Sequence, residues 1–308
     1  MTELQQIALY VCTHRRNGPL ATLLDTVKVA ADAAAGKAEI CVVVVDDNPD
    51  GRARSVCEAF EGVFAGGIHY RHSGAQNISI ARNLGIETAM ELGDWVAMTD
   101  DDILVPEDWF LEFVDVQASS GADCVTGPAY LSFDPSSPRW LRSQPFDRIG
   151  LFDHPELAVI EEGSTGNSMV RSSFLQDHEE VRFSTELGTL GGEDMVFFRT
   201  AVAAGLVSVY SRRVAVREPF PTERSTASYI YYRSFWMGNT EYQTSRRSEG
   251  SSRLRFIARA GKRCVRAITL PLQNKRSGTP AELHFAASLA VQAAGMLVGV
   301  VGIRVPHR

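Results

Sequence analysis

The chain has 308 residues, enough for one large domain or two modest ones with a substantial buried core. Apolar residues make up 44% of it and charged residues 22%, a composition that excludes a disordered or collagen-like protein. The net charge of −6 is unevenly distributed: residues 224–308 contain 14 Lys and Arg against 3 Asp and Glu, whereas residues 1–223 contain 17 against 34. A basic tail on an acidic body predicts an anionic partner for the tail, such as a membrane or a polyanion.

Five cysteines are scattered along the chain, with no C-x-x-C pair, and most of them lie in apolar runs. A thiol in such a run is usually a small buried hydrophobic group, so we expect neither a disulfide scaffold nor a zinc ribbon. This pattern is typical of a reducing cytoplasm. The first residues lack a basic stretch before an apolar run, and we therefore expect no secretory signal.

In the first half of the chain, short apolar runs alternate with segments of helical periodicity. We predict strands at residues 7–12, 40–45, 68–71 and 95–99, and helices at residues 20–34, 52–60, 78–92 and 106–118. Alternation of strands and helices without hairpin signals predicts an α/β fold, with a mostly parallel sheet and helices on both faces. In such a sheet, ligands bind at the carboxyl ends of the strands.

The second half is less regular. Residues 133–155 are rich in Pro and Ser, which predicts a long loop or lid. We further predict a strand that ends near Val170, a helix at residues 193–204, one or two short strands at 207–216 and a basic helical region beyond Tyr229.

Three aspartates, Asp100, Asp101 and Asp102, follow directly after the predicted strand at residues 95–99. Adjacent carboxylates repel each other by roughly 1–4 kcal/mol per close pair, and a cation would remove that repulsion. Oxygen ligands select Mg2+ or Mn2+ over softer metals. Asp100 and Asp102 point the same way in an extended segment, which makes this pair the natural clamp for a metal and a diphosphate. The alternative is a solvated turn in which an aspartate caps the next helix.

A second acidic pair, Glu193 and Asp194, opens a predicted helix directly after Gly191 and Gly192. Glycine lets the backbone approach a ligand closely, and the helix dipole stabilises a carboxylate in the first turn. Taken alone, the pair fits ordinary first-turn acids equally well. Together with the aspartates at 100–102 it supplies what a displacement reaction needs, a base that is separate from the metal.

Two further positions could bind a nucleotide. Asp46 and Asp47 end the second predicted strand, where a carboxylate can accept hydrogen bonds from a nucleobase or ribose, or form an Asx-turn. Arg82 lies near the start of the third predicted helix, where contact with a diphosphate and a surface salt bridge are equally plausible. The sequence lacks the P-loop, the G-x-G-x-x-G dinucleotide fingerprint after a strand and the G-x-S-x-G hydrolase motif.

At these residues the sequence resembles the inverting glycosyltransferases of family 2, which have the Rossmann-like GT-A fold. The matching segments occur in order at residues 11–16, 45–48, 77–83, 99–102, 165–168, 191–194 and 218–221. More narrowly, residues 77–83, residues 138–142 and the apolar tail resemble the glucosyltransferases that extend lipid-linked succinoglycan-type exopolysaccharide repeats. The resemblance implies a GT-A catalytic domain at residues 1–224 and a basic, partly apolar helical region at residues 225–308.

The resemblance also implies a role for each matching residue. Asp194 is the expected catalytic base, with Glu193 on the acceptor. Asp102 is the expected principal ligand of a Mg2+ or Mn2+ ion, together with Asp100. Arg217 occupies a position at which many relatives have His, so no histidine ligand is expected there. The expected nucleotide-sugar-binding residues are Thr13, Arg15, Asp46, Asp47, Arg82, Asp100 and Asp101.

The implied reaction transfers a hexose, with glucose as the first candidate, from a UDP-sugar donor to a lipid-linked saccharide acceptor during exopolysaccharide or cell-surface polysaccharide synthesis. One alternative is a sugar-1-phosphate nucleotidyltransferase, which also places acids beside a parallel sheet. The other is a non-enzymatic, membrane-associated protein that binds nucleotide-sugars. Release of UDP rather than pyrophosphate separates the first alternative, and transfer activity separates the second.

The basic tail contains two segments of interest. Residues 246–266 concentrate basic residues around Leu254, Phe256, Ile257 and Val265, which predicts an amphipathic surface helix. Residues 285–303 are 19 uncharged positions, near the length of a membrane span but only mildly hydrophobic. We expect peripheral attachment to the inner face of the cytoplasmic membrane and no nucleic-acid partner. A membrane span, a helix packed on the core and an oligomer interface are the alternatives.

Overall fold

A computed structural model describes residues 4–148, 154–161, 163–189, 191–249, 252–277 and 282–305 of the chain. The chain forms two compact units. The first unit consists of Met1–Tyr130, Phe152–Gly188 and Glu193–Glu218, and the second of Leu131–Leu151, Thr189–Gly192 and Pro219–Arg308. The second unit thus adds residues 131–151 and 189–192 to the C-terminal region that the sequence groups together.

Within the described residues, nine strands form two sheets. The strands are β1 (Gln5–Thr13), β2 (Ala38–Asp46), β3 (Ile68–His72), β4 (Trp95–Asp100), β5 (Cys124–Thr126), β6 (Ala129–Phe133), β7 (Asn167–Arg171), β8 (Ser208–Tyr210) and β9 (Val216–Phe220). Seven of them form one sheet in the order β3-β2-β1-β4-β7-β5-β8, and β6 pairs with β9. In the large sheet only β7 runs antiparallel to its neighbours β4 and β5. The predicted mostly parallel sheet is confirmed.

The β-branched run of β2 shows why the large sheet is buried on both faces. Val42 and Val44 belong to one hydrophobic core, whereas Val43 and Val45 belong to another. Because alternate side chains of a strand point to opposite faces, the two cores lie on opposite sides of the sheet. A continuous apolar run with helices on both sides is what a central parallel strand requires.

The helices of the first unit agree with the sequence pattern, except that α6 was not predicted. They are α1 (Asn17–Ala34), α2 (Arg54–Ala59), α3 (Ile78–Leu92), α4 (Trp109–Ser120), α6 (Ser172–Asp177) and α7 (Glu193–Ala203); α5 (Arg139–Arg142) belongs to the second unit. Helices α1 and α4 pack on one face of the large sheet, and α3 and α7 pack on the other. The predicted helix at 106–118 begins later, at Trp109.

The expectation of a long irregular loop at residues 133–155 is wrong for its described part, since that part contains α5 and a 3-10 helix at Pro145–Arg148. Residues 149–153 lie outside the described residues. Leu141 and Phe146 are fully buried in a small core of the second unit with Leu131, Phe220 and Ile230. The Pro- and Ser-rich composition gave no indication that Leu141 and Phe146 are buried and hold the short helical turns in place.

The C-terminal part of the second unit contains α8 (Ala227–Glu249), α9 (Arg253–Ser277) and α10 (Leu283–Val300). A Cβ atom at Gly238 of α8 would lie 2.0 Å from the carbonyl oxygen of Gln292, and one at Gly295 of α10 would lie 2.0 Å from that of Phe235. Two glycines therefore allow the backbones of α8 and α10 to approach closely.

The predicted amphipathic surface helix at residues 246–266 is confirmed in part, since Leu254, Ile257 and Val265 are exposed on α9. The predicted segment is, however, split between α8, which ends at Glu249, and α9, which begins at Arg253. Phe256 does not lie on the surface, since it is buried against Tyr242 of α8 and belongs to a core with Met296 of α10.

Among the described helices, only Leu283–Val300 is long and apolar enough to cross a membrane, by length and composition alone, with a mean hydropathy of 1.6. One third of it is buried, against α8 and α9.

Candidate active site

Strands β1, β2 and β4 end in polar residues and are neighbours in the large sheet. β1 pairs in parallel with β2 and with β4, so that Thr13 lies opposite Asp46 and Cys12 lies opposite Asp100. The carboxyl ends of these strands therefore meet at one edge, as expected for the ligand-binding edge of an α/β sheet.

The aspartates that follow β4 are not equivalent. Asp101 is buried and accepts hydrogen bonds from Thr13 Oγ1 at 2.7 Å and from Arg16 Nη1 at 3.1 Å. Burial raises the pKa of Asp101 to about 6, although Arg16 and Thr13 oppose this shift. Asp102 is partly exposed and accepts from Arg16 Nη1 at 2.5 Å. Asp100 is the most exposed of the three side chains.

Arg16, which the sequence did not single out, is the arginine that reaches these carboxylates. The predicted residue, Arg15, has an exposed side chain and a backbone φ of +59°. This left-handed conformation is uncommon for a residue other than glycine and turns the chain sharply between β1 and α1. Two adjacent arginines look equivalent in the sequence, and only this turn determines which of them faces the acidic edge.

Arg82 is a buried connector. The side chain of Asn77 caps α3 by accepting hydrogen bonds from the backbone N–H groups of Ser79 and Ile80. One turn further along the helix, the Arg82 guanidinium donates from Nη2 to Asp100 Oδ1 at 3.3 Å and from Nη1 to Glu193 Oε1. The alternative of a surface salt bridge is wrong, because the Arg82 side chain is only 9% exposed. Arg82 thus ties the end of β4 to the start of α7.

The start of α7 holds the second acidic pair. Glu193 is buried: one of its carboxylate oxygens accepts from Arg82, and the other, Oε2, has no hydrogen-bond partner among the described residues. The expected contact of Glu193 with an acceptor stays a prediction. A carboxylate engaged by a buried guanidinium is held in place and is not presented to solvent.

Asp194 is suited to accept a proton. Its Oδ1 accepts a hydrogen bond from the backbone N–H of Met195 at 2.8 Å. Burial, and secondly the charge of Glu193, raise the pKa of Asp194 to about 6, whereas Arg82 opposes the shift. A general base works best when its pKa is close to the working pH, and a carboxylate raised to this value meets that requirement. Asp100 also raises the pKa of Asp194, so the two acids belong to one electrostatic cluster.

The structure separates Asp46 from Asp47. Asp46 is fully buried and accepts hydrogen bonds from the backbone N–H groups of Asn48 at 2.9 Å and Ala53 at 2.7 Å and from the Tyr70 hydroxyl at 3.2 Å. Its carboxylate therefore organises the loop after β2.

Asp47 is held by two donors at a single oxygen. Its Oδ1 accepts from Ser73 Oγ at 2.6 Å and from the Ala75 N–H at 3.0 Å. Of the two aspartates, Asp47 has the greater capacity left to bind a ligand.

The carboxylates at the end of β4 fit a hard divalent cation. Carboxylate oxygens are the ligands that Mg2+ and Mn2+ prefer, and a Cβ atom at Gly166 would lie only 3.2 Å from Asp100 Oδ2, so glycine there leaves that oxygen room. Within the described residues, no group of three His, Cys, Asp or Glu side chains is arranged to hold a metal ion. Arg217, at the position of the absent histidine, is exposed on β9.

The chain is similar to known glycosyltransferases in sequence and in structure. A family model described as "Glycosyl transferase family 2" matches residues 9–179. The chain is 31% identical over 314 residues to the succinoglycan biosynthesis protein ExoM of Rhizobium meliloti (strain 1021), covering 98% of this chain and 95% of that protein.

Two solved structures share the fold. One is residues 1–349 of TarS from S. aureus in complex with UDP, with a TM-score of 0.55 and 13% identity over 97% of this chain and 92% of that one. The other is the mannosyltransferase PcManGT from Pyrobaculum calidifontis in complex with GDP-Man and Mn2+, with a TM-score of 0.56 and 15% identity over 99% and 77%.

The sheet edge, the acidic residues gathered there and the family match agree with one another. Together they exclude the two alternatives, a scaffold without enzymatic activity and a nucleotidyltransferase of another family. The chain belongs to glycosyl transferase family 2 and is a glycosyltransferase.

Proposed function

We propose that this enzyme transfers a hexose, with glucose as the first candidate, from a UDP-sugar to a lipid-linked oligosaccharide in exopolysaccharide synthesis. The named role of the relative from Rhizobium meliloti, succinoglycan biosynthesis, supports the product class. TarS in complex with UDP and with UDP-GlcNAc supports a uridine nucleotide, since it shares the fold. The fold is also compatible with GDP-mannose, which PcManGT binds, so the donor is the first thing to test.

One observation carries the proposal. The guanidinium of Arg82 binds both Asp100, at the end of β4, and Glu193, beside Asp194 at the start of α7. Residues expected to hold the donor diphosphate and the expected base are thereby brought to one cluster within the first unit. A displacement reaction requires the base and the diphosphate-binding residues at one site. The reason is that the acceptor hydroxyl must attack C1 of the sugar on the side opposite the departing diphosphate.

The reaction follows from these positions. The carboxylate of Asp194 accepts the proton of the acceptor hydroxyl, whose oxygen forms a bond with C1 of the sugar as the bond from C1 to the diphosphate breaks. A single displacement of this kind inverts the anomeric centre and converts an α-linked donor into a β-linkage. In this scheme Glu193 holds the guanidinium of Arg82 in place.

Asp100 and Asp102 are the residues that would hold a divalent cation, Mg2+ or Mn2+, together with the donor diphosphate. When bound, such a cation acts as a Lewis acid that stabilises the leaving diphosphate. Two protein carboxylates suffice in this arrangement, because Mg2+ and related ions commonly take their remaining ligands from substrate phosphates and water. The Mn2+ in the PcManGT structure supports the use of a divalent cation by this fold.

The nucleoside is assigned to the loop after β2 and to the end of β1. Asp47 is preferred over Asp46 because the carboxylate of Asp46 already accepts three hydrogen bonds within the protein. Thr13 ends β1 beside this loop and donates to Asp101, so it joins the nucleoside side of the site to the aspartates after β4.

We further propose that the enzyme works at the inner face of the cytoplasmic membrane. A lipid-linked acceptor is confined to a membrane, and residues 224–308 carry 14 Lys and Arg against 3 Asp and Glu. Such a charge attracts the anionic lipids of a cytoplasmic leaflet.

The decisive experiment measures nucleotide release by the full-length protein. UDP-glucose, UDP-galactose, UDP-GlcNAc and GDP-mannose are each supplied with Mg2+ or Mn2+, with and without a lipid-linked oligosaccharide. We expect UDP release from one UDP-sugar, stimulated by the acceptor and abolished by a chelator. Preference for GDP-mannose would overturn the donor assignment, and equal rates with and without the lipid-linked acceptor would overturn the acceptor assignment.

A further inference from the structure

Helix α9 presents three different faces. Phe256 and Ala260 are buried and form its packing face against α8 and α10. Arg263 donates to Glu241 of α8 at 2.7 Å, and Arg259 lies 3.8 Å from the same carboxylate, so these two cations are used inside the unit. The remaining surface of α9 has an apolar face and a cationic face.

The apolar face is a regular stripe of exposed side chains. Leu254, Ile257, Val265 and Ile268 are between 45% and 77% exposed and follow one another at helical spacings, with Gly261 between them. At 3.6 residues per turn these side chains project within about 80° of one another, along about 21 Å of helix. Isolated exposed apolar residues are ordinary, but a row of four on one helix face marks an interaction surface.

The cationic face runs beside the stripe. Arg255, Lys262 and Arg266 are exposed, and they form no ion pair with any other described residue. They lie about 120° around the helix from the centre of the stripe, and within about 40° of one another. The sequence of α9 contains eight Lys and Arg and no Asp or Glu. The face that accompanies the apolar stripe is therefore uniformly positive.

We propose that α9 is the surface by which this enzyme docks on a bilayer that contains anionic lipid. The stripe enters the boundary between head groups and acyl chains while Arg255, Lys262 and Arg266 bind lipid phosphates. An amphipathic helix with an apolar row and a cationic flank is suited to lie in the plane of such an interface. This inference rests on the proposed membrane location and specifies its surface and its lipid chemistry.

Helix α10 is less suited to this role, although it is the more apolar of the two. It has no charged residue between Leu283 and Val300, and it buries Ala293, Met296 and Val300 within the unit. Its exposed apolar side chains, Leu283 and Leu297, are therefore not accompanied on the helix by cations that would select anionic lipid.

The test uses the full-length protein and sedimentation with vesicles of phosphatidylcholine alone or mixed equally with phosphatidylglycerol. We expect the unmodified protein to bind only the mixed vesicles, and less tightly as salt is raised. Leu254→Glu with Ile268→Glu should weaken this binding by about tenfold or more, and so should Arg255→Gln with Lys262→Gln and Arg266→Gln. Val29→Glu on α1 is the matched control: Val29 is 48% exposed on a helix of the first unit, and its change should have no effect.

Two outcomes would overturn the docking surface. The first is vesicle binding that neither set of α9 changes reduces. The second is loss of self-association by the Leu254→Glu with Ile268→Glu variant in light scattering, without any vesicle binding by the unmodified protein, which would make α9 an interface between copies of this chain.

Nucleotide binding and donor hydrolysis by each variant, measured without lipid, keep this test separate from the enzyme assignment. We expect both to be unchanged. If the unmodified protein binds the mixed vesicles but no donor is ever turned over, the proposed reaction fails and the docking surface stands. If turnover occurs and no vesicle is bound, the reverse holds. The charge-neutralising variant covers the case in which the glutamate variant does not fold.

Discussion

Two arginines in the first unit each bridge two carboxylates, and they do so in different surroundings. Arg16 is 37% exposed and joins Asp101 to Asp102, which are adjacent in the chain. Arg82 is 9% exposed and joins Asp100 to Glu193, which belong to different elements. The guanidinium of Arg16 thus lies at the exposed rim of the site, where a ligand can replace it. The guanidinium of Arg82 lies in the interior and connects two elements permanently.

The difference has an energetic consequence. An exposed ion pair contributes about 0–1 kcal/mol, because water screens it and two long side chains must be ordered. Removing one partner of a buried pair costs about 3–5 kcal/mol, because the other charge is left uncompensated. Arg82 is therefore expected to fix the geometry of the site, whereas Arg16 can leave its carboxylates when a ligand takes its place.

The largest expected effect lies on the interior side of this comparison. Asp194→Asn removes the proposed base and should lower transfer by about 1000-fold or more, since an amide cannot take the acceptor proton. UDP binding, measured by calorimetry, should stay within about twofold of the unmodified protein, because Asp194 does not contact the nucleotide in our assignment. Loss of UDP binding would instead make Asp194 part of the donor site.

At the rim, Asp102→Ala should remove metal-dependent donor binding and lower transfer by about 100-fold or more. The matched control is Asp108→Ala, which changes an exposed aspartate on the same connection without a side-chain capping bond. Titration of the nucleotide-sugar in the presence and absence of Mn2+ gives the measurement. A variant at position 102 that keeps the full Mn2+ dependence would contradict the assignment.

The free energy of unfolding of Arg82 variants tests the role of this residue in the interior. Arg82→Gln should lower the free energy of unfolding by about 3–5 kcal/mol in urea titrations, because buried Glu193 would lose its ion-pair partner. Adding Glu193→Gln should restore part of this loss, and the resulting double-mutant cycle isolates the pair. If the double variant is as unstable as the sum of the two single ones, the two residues are not coupled.

The pH dependence sharpens the same contrast within α7. Burial raises the pKa of Asp194 to about 6, and the group must be ionised to act, so transfer should rise as the pH passes about 6 and then level off. Neutralising Glu193 removes a negative charge that raises this pKa, so Glu193→Gln should move the acid limb to lower pH. Neutralising Arg82, whose charge lowers the pKa, should move it to higher pH. If both variants shift the acid limb in the same direction, the charges of Glu193 and Arg82 do not set the pKa of Asp194 in this way.

Much of the fold could be predicted because its signals are local. The β-branched run of β2 is buried on both faces of the sheet, and the period of α3 matches residues 78–92 without error. The reversed direction of β7 was not predictable, since a five-residue strand has the same composition in either direction and only its pairing with β4 and β5 fixes it.

The site was predictable as a set of residue types at strand ends, but not as a network. Nothing in the sequence distinguishes Arg16 from Arg15, because the left-handed backbone at Arg15 is a property of the folded turn. The bond between Arg82 and Glu193 was likewise not predictable, because these residues are far apart in the sequence and only the fold brings them together. The inward position of Phe256 has the same origin: an aromatic residue at a predicted surface proved to be the packing residue of α9.

The smallest expected effect concerns Arg16. It tests whether a bound cation can replace Arg16 at Asp102. Arg16 Nη1 lies 2.5 Å from Asp102 Oδ2, so its positive charge and a divalent cation compete for the same carboxylate. Arg16→Gln should therefore change the free energy of unfolding by less than about 1 kcal/mol. It should nevertheless tighten Mn2+ binding to the nucleotide-free protein by about three- to tenfold, measured as the loss of free Mn2+ signal in electron paramagnetic resonance.

Arg15→Gln is the matched control for this measurement, because it removes the same charge one residue away without touching an acid, and it should leave Mn2+ binding within about twofold. If both variants tighten binding equally, the effect is one of net charge at the loop and not of competition for Asp102. If Arg16→Gln weakens binding, Arg16 orients Asp102 for the cation rather than competing with it, and the rim bridge would be as fixed as the one that Arg82 makes in the interior.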